Sequence, residues 1–316
     1  MAVTTKEEGV WSIDQVYNKQ TQGDIWDYDG LNELYAWGRN SGGQLGLNAP
    51  GPSHKSSPTQ VPGKWIGHFS TGNASGNAVL YIGKETENTL WAWGANGSGV
   101  LGQNISAPTL EGLSSPTQIP GDNWAQAVSG SSCYGVKTDG SLWGWGFSDN
   151  GSTGTGRTAR SKPTQIPGTG YRTTDYSICS SGNQNGWALR TDGTMWAWGR
   201  NQNGALGLNN TTSSNYPLQI PGTTWDKLAD GASQSMAAIK TDGTLWTWGY
   251  AVAGQLGLNE QTAYSSPKQV PGTTWRSIRM SNSAAWATKT DGTLWSWGRN
   301  LEGQLGLGNP TNTYIS

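Results

Sequence analysis

Few side chains in this sequence are of the types that perform acid–base or nucleophilic catalysis. Histidine occurs twice, as His54 in a loop rich in proline and serine and as His68 close to Trp65. A proton relay needs a histidine beside a nucleophile or a carboxylate, and no nucleophile motif accompanies either histidine. The sequence therefore predicts that the chain is not an enzyme.

The two cysteines do not point to reactivity either. Cys133 and Cys179 lie 12 and 19 residues before the next Trp-Gly pair, at different places in the repeat set out below. Two cysteines cannot form a disulfide framework. We expect buried thiols that pack as small apolar side chains, with a single bridge between them as the alternative.

Four aspartates recur at similar intervals and resemble catalytic carboxylates in their regularity. Each is the centre of a Thr-Asp-Gly or Thr-Asp-Gly-like turn, and the four are Asp139, Asp192, Asp242 and Asp291. Aspartate is favoured in such turns because it tolerates left-handed backbone geometry and hydrogen-bonds its own backbone. We therefore predict a structural role for them. The sequence has neither a histidine and cysteine cluster nor an Asp-x-Asp-x-Asp-Gly loop, so no metal and no cofactor is predicted.

The elements that carry these turns are predicted to be β-strands. Residues 241–259 read TDGTLWTWGYAVAGQLGLN, and an Asp-Gly pair between apolar runs favours a two-residue hairpin turn. Side chains alternate across the following strand, which places Trp246 and Trp248 on one face and Leu245 and Thr247 on the other. The glycines and leucines after the strand predict a tight loop.

The same unit returns along the chain and defines the architecture. Successive Trp-Gly pairs lie 49 to 56 residues apart, and their tryptophans are Trp37, Trp93, Trp145, Trp198, Trp248 and Trp297. Units of this length fit four-stranded propeller blades better than any helical repeat. Between them recurs a Pro-x-Gln-Val/Ile-Pro-Gly marker, which predicts a short outer strand whose prolines block edge pairing.

These markers, in this order, resemble the RCC1-like repeat family, whose members form a β-propeller, usually of seven blades. The resemblance covers about residues 24–308. We count six units, of which the first is degenerate, and the chain ends at Ser316 where a sixth proline marker would begin. The prediction is an all-β protein with a single propeller of six four-stranded antiparallel blades over residues 25–316. A seven-bladed ring, with one blade lent by a neighbouring chain, is the alternative.

Composition indicates which residues form the core and which classes of partner are excluded. The chain has 19 Trp but only 2 Phe, and each buried tryptophan removes about 150–250 Å² from water, so tryptophan is predicted to form the core. A net charge of −1 without a basic run argues against nucleic acid as a partner, and against the chromatin role that the family resemblance would imply. No apolar run reaches the ~20 residues of a membrane span, and the N-terminus lacks a signal-peptide pattern, so synthesis in the cytoplasm is expected.

Residues 1–24 break the repeat and allow two interpretations. In the first, they are a worn repeat that closes the ring, because Trp26 lies 11 residues before Trp37, as Trp286 does before Trp297. In the second, they are an anchor: the phrase GVWSIDQVYN resembles the short leader that opens many virion structural proteins of tailed phages. The anchoring residues would be Trp11, Ile13, Tyr17 and Trp26.

Binding is predicted on the loops, because propellers present loops on two faces while the blades stay rigid. The longest or least regular segments are residues 49–57, 105–114, 148–162, 210–216 and 260–265. Tyr216 and Tyr264 are the candidate contacts in them. Trp187 and Trp286 depart from the regular tryptophan positions and are the candidates for stacking on a ligand.

The interpretation that follows is a rigid, non-enzymatic binding or structural module. The leader resemblance implies a virion component at a phage tail, fibre or capsid surface, with virion proteins and a host surface protein or glycan as partners and oligomerisation left open. The cytoplasm is the alternative location. Two rival functions remain: a protein inhibitor, since the family resemblance includes a secreted β-lactamase inhibitor with a similar fold, and a glycan-binding lectin.

Overall fold

A computed structural model describes residues 32–49, 53–71, 79–83, 88–105, 111–181, 184–229, 234–308 and 314–315. All regular structure in these ranges is β-strand. They contain no helix long and apolar enough to cross a membrane. The proposed anchoring residues Trp11, Ile13, Tyr17 and Trp26 lie outside the described residues.

The strands form five antiparallel sheets. The first sheet contains β1 (Asn32–Gly38), β2 (Lys55–Thr71), β3 (Val79–Gly83), β4 (Thr89–Ala95) and β5 (Gly112–Gln118). The second contains β6 (Trp124–Val128), β7 (Ser132–Lys137), β8 (Leu142–Gly146) and β9 (Arg160–Gln165). The third contains β10 (Ile178–Ser180), β11 (Asn185–Leu189), β12 (Met195–Gly199) and β13 (Ser214–Gln219).

The last two sheets repeat the same order. The fourth contains β14 (Trp225–Leu228), β15 (Ser235–Lys240), β16 (Leu245–Gly249) and β17 (Tyr264–Gln269). The fifth contains β18 (Trp275–Met280), β19 (Ala284–Lys289), β20 (Leu294–Arg299) and β21 (Tyr314–Ile315). In every sheet, each strand pairs with the next one along the chain, which confirms the predicted all-β blades of four antiparallel strands.

The first sheet has five strands because β2 serves two repeats. The first part of this 17-residue strand pairs with β1, as in the pair Ala36↔Thr59, and its last part pairs with β3, as in Phe69↔Tyr81. Strands β2 to β5 therefore form the blade of the second repeat, and β1 with the start of β2 forms a hairpin of the first repeat. The described strands amount to five four-stranded blades and this hairpin.

The Thr-Asp-Gly turns differ from the predicted geometry. Lys137 N donates to Ser141 O at 2.9 Å, and only Gly140 in the loop between them has a positive φ, of 77°. The loop therefore has three residues and ends in a glycine bulge, so the prediction of a two-residue turn was wrong. The aspartate needs no positive φ because its carboxylate stabilises the turn from outside: Asp139 Oδ1 accepts a hydrogen bond from Ser141 N at 2.8 Å.

The predicted structural role of the aspartates is confirmed in all four turns. In the second, Thr194 donates from both its backbone nitrogen and its hydroxyl to Asp192 Oδ1, at 2.9 and 2.7 Å. The hydroxyl and backbone hydrogen bonds hold the pKa of Asp192 below its ordinary value. These carboxylates are therefore ionised near neutral pH and stabilise the turns. An ionised carboxylate has no proton to give and so does not suit acid catalysis.

Four of the proline-containing strands, β5, β9, β13 and β17, are the last strands of their sheets, as predicted, whereas β2 carries a proline marker but lies between β1 and β3. β9, β13 and β17 each carry the proline marker and occupy a sheet edge. Each pairs with its neighbour through a register irregularity at the Trp-Gly pair, for example between Gly144 and Gly146. Proline and an irregular register both discourage pairing with another strand at this edge.

The second tryptophan of each Leu-Trp-x-Trp-Gly unit joins neighbouring blades. Trp248 is completely buried, and its indole Nε1 donates to Ala205 O in the loop of the preceding repeat at 2.8 Å. We call this contact the tryptophan lock. It occurs five times, at Trp93, Trp145, Trp198, Trp248 and Trp297. The prediction that tryptophan forms the core between blades is confirmed for this position.

The first tryptophan of the unit is only half-buried, which the sequence did not indicate. Trp246 packs edge to face against Trp225, with ring centroids 6.2 Å apart, and Lys240 Nζ lies 4.5 Å from its centroid and 4.7 Å from that of Trp225. Each cation–π contact of this kind contributes about 0.5–2 kcal/mol to stability. A basic residue just before the Thr-Asp-Gly turn therefore covers this tryptophan.

Both cysteines are buried and form no disulfide, which confirms the prediction of buried free thiols. Burial raises the pKa of the Cys133 thiol to about 12. A thiol with so high a pKa has almost no thiolate near neutral pH, so Cys133 is unsuited to nucleophilic chemistry.

Candidate functional site

The four residues predicted to bind a ligand do not form one site. Tyr216 is 54% exposed on β13, and Tyr264 is half-buried on β17 of the next blade, where its hydroxyl donates to Glu260 and Lys268 covers its ring. Trp286 is half-buried on β19. Tyr216 thus offers an exposed aromatic surface on an outer strand, whereas the Tyr264 ring already has partners within its own repeat.

Trp187 must be withdrawn as a binding residue. It is completely buried on β11, so its indole has no face to offer a ligand. It lies opposite Ala197 on β12, and the third sheet, which contains both strands, has a neighbouring sheet on each side. Its irregular place in the repeat reflects this local packing and not a ligand site.

Three of the five loops that were predicted to bind are held by buried asparagines, which the sequence analysis missed. Asn201 Oδ1 accepts from Leu206 N at 2.9 Å, and its Nδ2 donates to Asn210 O at 3.0 Å and Thr212 O at 3.1 Å. Equivalent asparagines, buried in the same loop position, are Asn40, Asn96 and Asn300. The recurrent Trp-Gly-x-Asn phrase is the signal that could have revealed them.

A cavity of about 450 Å³ lies between the first strands of the last two blades. Lys227 and Leu228 of β14 form one wall, and β18 forms the other with Arg276 and Arg279. Tyr176, which precedes β10 of the third sheet, completes the lining. We call this cavity the first-strand pocket. It brings together residues from three successive repeats.

Side chains that bridge neighbouring first strands hold the pocket in shape. Lys227 Nζ donates to Arg276 O at 3.0 Å, and Arg279 Nη2 donates to the Tyr176 hydroxyl at 3.3 Å while the guanidinium lies over the phenol ring. Leu228 N donates to Tyr176 O at 2.9 Å. The walls are therefore tied to one another before any ligand arrives.

The pocket is positively charged. Its described lining has three cationic side chains and no carboxylate. Two acids adjoin lining residues in the sequence, Asp175 before Tyr176 and Asp226 before Lys227. Asp226 pairs with Arg172 Nη1 at 3.2 Å, and that guanidinium also donates to Trp225 O. Asp226 is thus already engaged by a cation of the preceding blade. The side chain of Arg276 is exposed and carries its charge at the pocket wall.

This arrangement is suited to binding an anion. The polar groups of the lining are cations, hydroxyls and one phenol, and a guanidinium suits the planar carboxylate or a phosphate because it donates through a rigid fork. In the part of the chain that the structure describes, no group of three or more His, Cys, Asp or Glu residues could hold a metal ion.

The family model of the regulator of chromosome condensation (RCC1) repeat matches residues 32–75, 192–238, 242–283 and 291–315, which together make up half of the chain. The chain belongs to the RCC1 repeat family. The matched segments each include a Trp-Gly pair or the strands around it, so the family assignment rests on the same residues that build the blades and their tryptophan locks.

Two of the curated relatives that this chain resembles are longer proteins. The E3 ubiquitin-protein ligase HERC2 of Homo sapiens is 28% identical over 217 residues, 64% of this chain but 4% of that protein. The ultraviolet-B receptor UVR8 of Arabidopsis thaliana is 28% identical over 198 residues, 61% of this chain and 43% of that protein. The RCC1 repeat chain thus spans less than half the length of these relatives.

Among solved structures, human WBSCR16 is similar to the RCC1 repeat chain with a TM-score of 0.72 and 20% sequence identity. The likeness covers 89% of this chain and 76% of that one. At this identity it shows a shared fold, the RCC1-like propeller, and nothing of function.

Proposed function

We propose that this protein is a non-enzymatic binding module whose first-strand pocket receives an acidic group of a protein partner. The observation that carries the proposal is the set of three cations, Lys227, Arg276 and Arg279, in a cavity whose described lining has no carboxylate. A cationic concave site attracts and orients a negatively charged ligand.

The shape and chemistry of the pocket favour an acidic peptide segment. A volume of about 450 Å³ accommodates one or two side chains. Leu228 is buried at its wall and Tyr176 is 44% exposed, so an apolar side chain next to the carboxylate would also find contact. The pocket therefore fits an Asp or Glu that is followed or preceded by an apolar residue.

Replacing Arg276 tests this assignment with little risk to the fold, because its side chain is exposed. We expect Arg276→Gln to weaken the binding of a peptide that contains Asp and Glu by about tenfold, the size of one lost charge-assisted hydrogen bond. Isothermal titration calorimetry measures the change, and the matching Asn and Gln peptide should not bind.

Lys162→Gln is the matched control, because Lys162 is an exposed cation on the outer strand β9. It should bind the acidic peptide as the parent protein does. Equal binding by the parent and Arg276→Gln proteins, or equal losses in both variants, would show that the pocket does not select the acidic group.

We further propose that the module is a virion component at a phage tail, fibre or capsid surface, with residues 1–24 as its anchor and residues 25–316 as the propeller. The support is the leader-like phrase GVWSIDQVYN at residues 9–18. In this proposal the propeller has six blades, the last of which ends at β21, and the loops face outward.

A pull-down from the native source, with the full-length protein and a version that lacks residues 1–24, tests the anchor. Mass spectrometry should identify virion structural proteins only with the full-length bait. Recovery of one bacterial enzyme by both baits would instead favour the rival inhibitor function. Quenching of tryptophan fluorescence by glycans would favour the lectin, and an unchanged emission over a broad glycan panel would dismiss it.

A further inference from the structure

The tryptophan lock has two halves, which belong to successive repeats. One half is the indole, and the other is the loop of the repeat before it, where a backbone carbonyl accepts the Nε1 hydrogen bond at 2.8–3.1 Å in all five locks. Each complete lock therefore needs a repeat on both sides.

A glycine makes room for the indole in the loop half. A Cβ atom on Gly207 would lie 2.8 Å from Trp248 Nε1, and one on Gly257 would lie 2.8 Å from Trp297 Nε1. Both glycines have a positive φ, near 70°. Only glycine combines this backbone geometry with the close approach of the ring.

The first repeat has the indole half, and no loop among the described residues receives it. Trp37 occupies the second tryptophan position on β1, where the equivalent residues of the following repeats are buried, yet it is 61% exposed. Tyr35, which precedes it on the same face of the strand, is 46% exposed. This edge of the chain presents an aromatic surface to solvent.

The last repeat has the loop half, and no indole from the described part of the chain packs upon it. Among the described residues, no atom lies within 4 Å of a Cβ placed on Gly306, which is equivalent to Gly207 and Gly257 and has a φ of 70°. The apolar residues beside it are also uncovered: Leu294 is 68%, Trp295 is 49% and Leu307 is 53% exposed. By contrast, Leu245, the counterpart of Leu294, is completely buried by the next blade.

We propose that a second copy of this chain completes the lock, with Trp37 of one copy seated on the Gly306 loop of the other. The two halves are complementary to each other and not to themselves, so the contact is head to tail. Its chemistry is that of the five interfaces inside the chain: the Trp37 indole lies against Gly306, its Nε1 donates to a carbonyl of the loop, and Leu294 and Leu307 are covered by the incoming hairpin.

The same set of residues forms every internal interface, which favours a second copy of this chain over an unrelated protein as the partner. The internal locks show that the geometry is self-consistent between copies of the repeat, and both open halves are exposed in the same molecule. A large exposed apolar surface of this kind marks an interaction site. Closure of the ring within one chain is the competing outcome, and the experiment separates the two.

The test compares the sedimentation of the full-length protein and two variants over a range of concentrations. The parent protein should form dimers and larger assemblies, because a head-to-tail contact leaves one free half at each end. Trp37→Ala and Gly306→Ala should each weaken association by at least about 30-fold, as expected for a central aromatic anchor and its seat. Gly292→Ala is the matched control.

Gly292 has a φ of 86° on the same blade, and no atom lies within 4 Å of an added Cβ. Its replacement by alanine imposes the same backbone strain without touching a lock, so this variant should associate as the parent does. If it loses association to the same degree as Gly306→Ala, backbone strain and not the seat is responsible, and the proposal fails.

A mixture of the two variants decides between contact in trans and closure in cis. The Trp37→Ala protein keeps its Gly306 seat and the Gly306→Ala protein keeps its indole, so the mixture should form dimers that cannot grow further. A parent protein that sediments as a monomer at every concentration, or a mixture that forms no dimer, overturns the proposal. Both outcomes are independent of the first-strand pocket and its ligand.

Discussion

Replacement of Trp248 by alanine is expected to destabilise the protein by about 3–5 kcal/mol, among the largest effects of any single substitution in this chain. The side chain is completely buried, packs against Trp225 with centroids 6.1 Å apart, and donates from Nε1 to Ala205 O. Alanine would leave a cavity the size of an indole and deprive that carbonyl of its donor. Urea denaturation followed by circular dichroism measures the loss.

Trp246→Ala is the control for this prediction, since it removes an indole from the same strand. Trp246 is half-buried, and its contacts are Trp225, Lys240 and a hydrogen bond to the Thr244 hydroxyl at 2.9 Å. A loss of about 1–2 kcal/mol is expected because part of the ring is already in water. If both substitutions cost the same, the lock between blades does not dominate the stability of this repeat.

Asn201→Ala is expected to destabilise the protein by about 2–4 kcal/mol, although it removes only a small polar side chain. Asn201 is completely buried. Its amide satisfies one backbone nitrogen, Leu206 N, and two backbone carbonyls, those of Asn210 and Thr212. Alanine leaves the buried Leu206 N without its acceptor and removes the donor from the two part-buried carbonyls.

The same substitution should also loosen the loop of residues 210–216, which Asn201 ties to the blade. Hydrogen exchange measured by mass spectrometry should show faster exchange in this loop and unchanged exchange in β12. Gln202→Ala is the control, because Gln202 is the exposed neighbour that bonds only to Arg200 in the described residues. A stability loss below about 0.5 kcal/mol in Asn201→Ala would show that the loop does not depend on this amide.

Two repeats lack the asparagine and show that the position accepts other solutions. Ser148 stands there in the third repeat, where its hydroxyl donates to Gly156 O at 2.7 Å, and Ala251 stands there in the fifth. In that fifth repeat Ala253 N donates to Gln255 Oε1 at 2.9 Å, a contact that the repeats of Asn40 and Asn300 also make through Gln44 and Gln304. The loop before Tyr216 is therefore held to its blade by Asn201, whereas the loop before Tyr264 has an alanine at that position.

Most of the fold could be predicted from the sequence repeat. The spacing of the Trp-Gly pairs, the Thr-Asp-Gly turns and the proline markers predicted antiparallel four-stranded blades, their edge strands and the structural role of the aspartates. These are local or periodic properties: a turn depends on three or four adjacent residues, and an alternating strand depends on its own side chains. The turn length was wrong because the side-chain hydrogen bond of the aspartate favours a three-residue loop.

Burial at a single position required the tertiary structure. Trp187 and Trp286 occupy equivalent places on β11 and β19, opposite Ala197 and Ser296. The first is completely buried and the second is half-buried, because a further blade covers the third sheet on both sides while the fifth sheet ends the described array. Nothing near either residue in the sequence distinguishes them.

The first-strand pocket and the open locks likewise arise only from the packing of repeats. Tyr176, Lys227 and Arg276 are each about one repeat apart along the chain, and they meet because successive first strands lie side by side in the ring. Trp37 and Gly306 are the same residue types as their equivalents in the other repeats, where the tryptophan is buried against the glycine, so the sequence predicts a lock at both positions. Their exposure follows from their place at the two ends of the array, where the neighbouring repeat that supplies the other half is absent from the described chain.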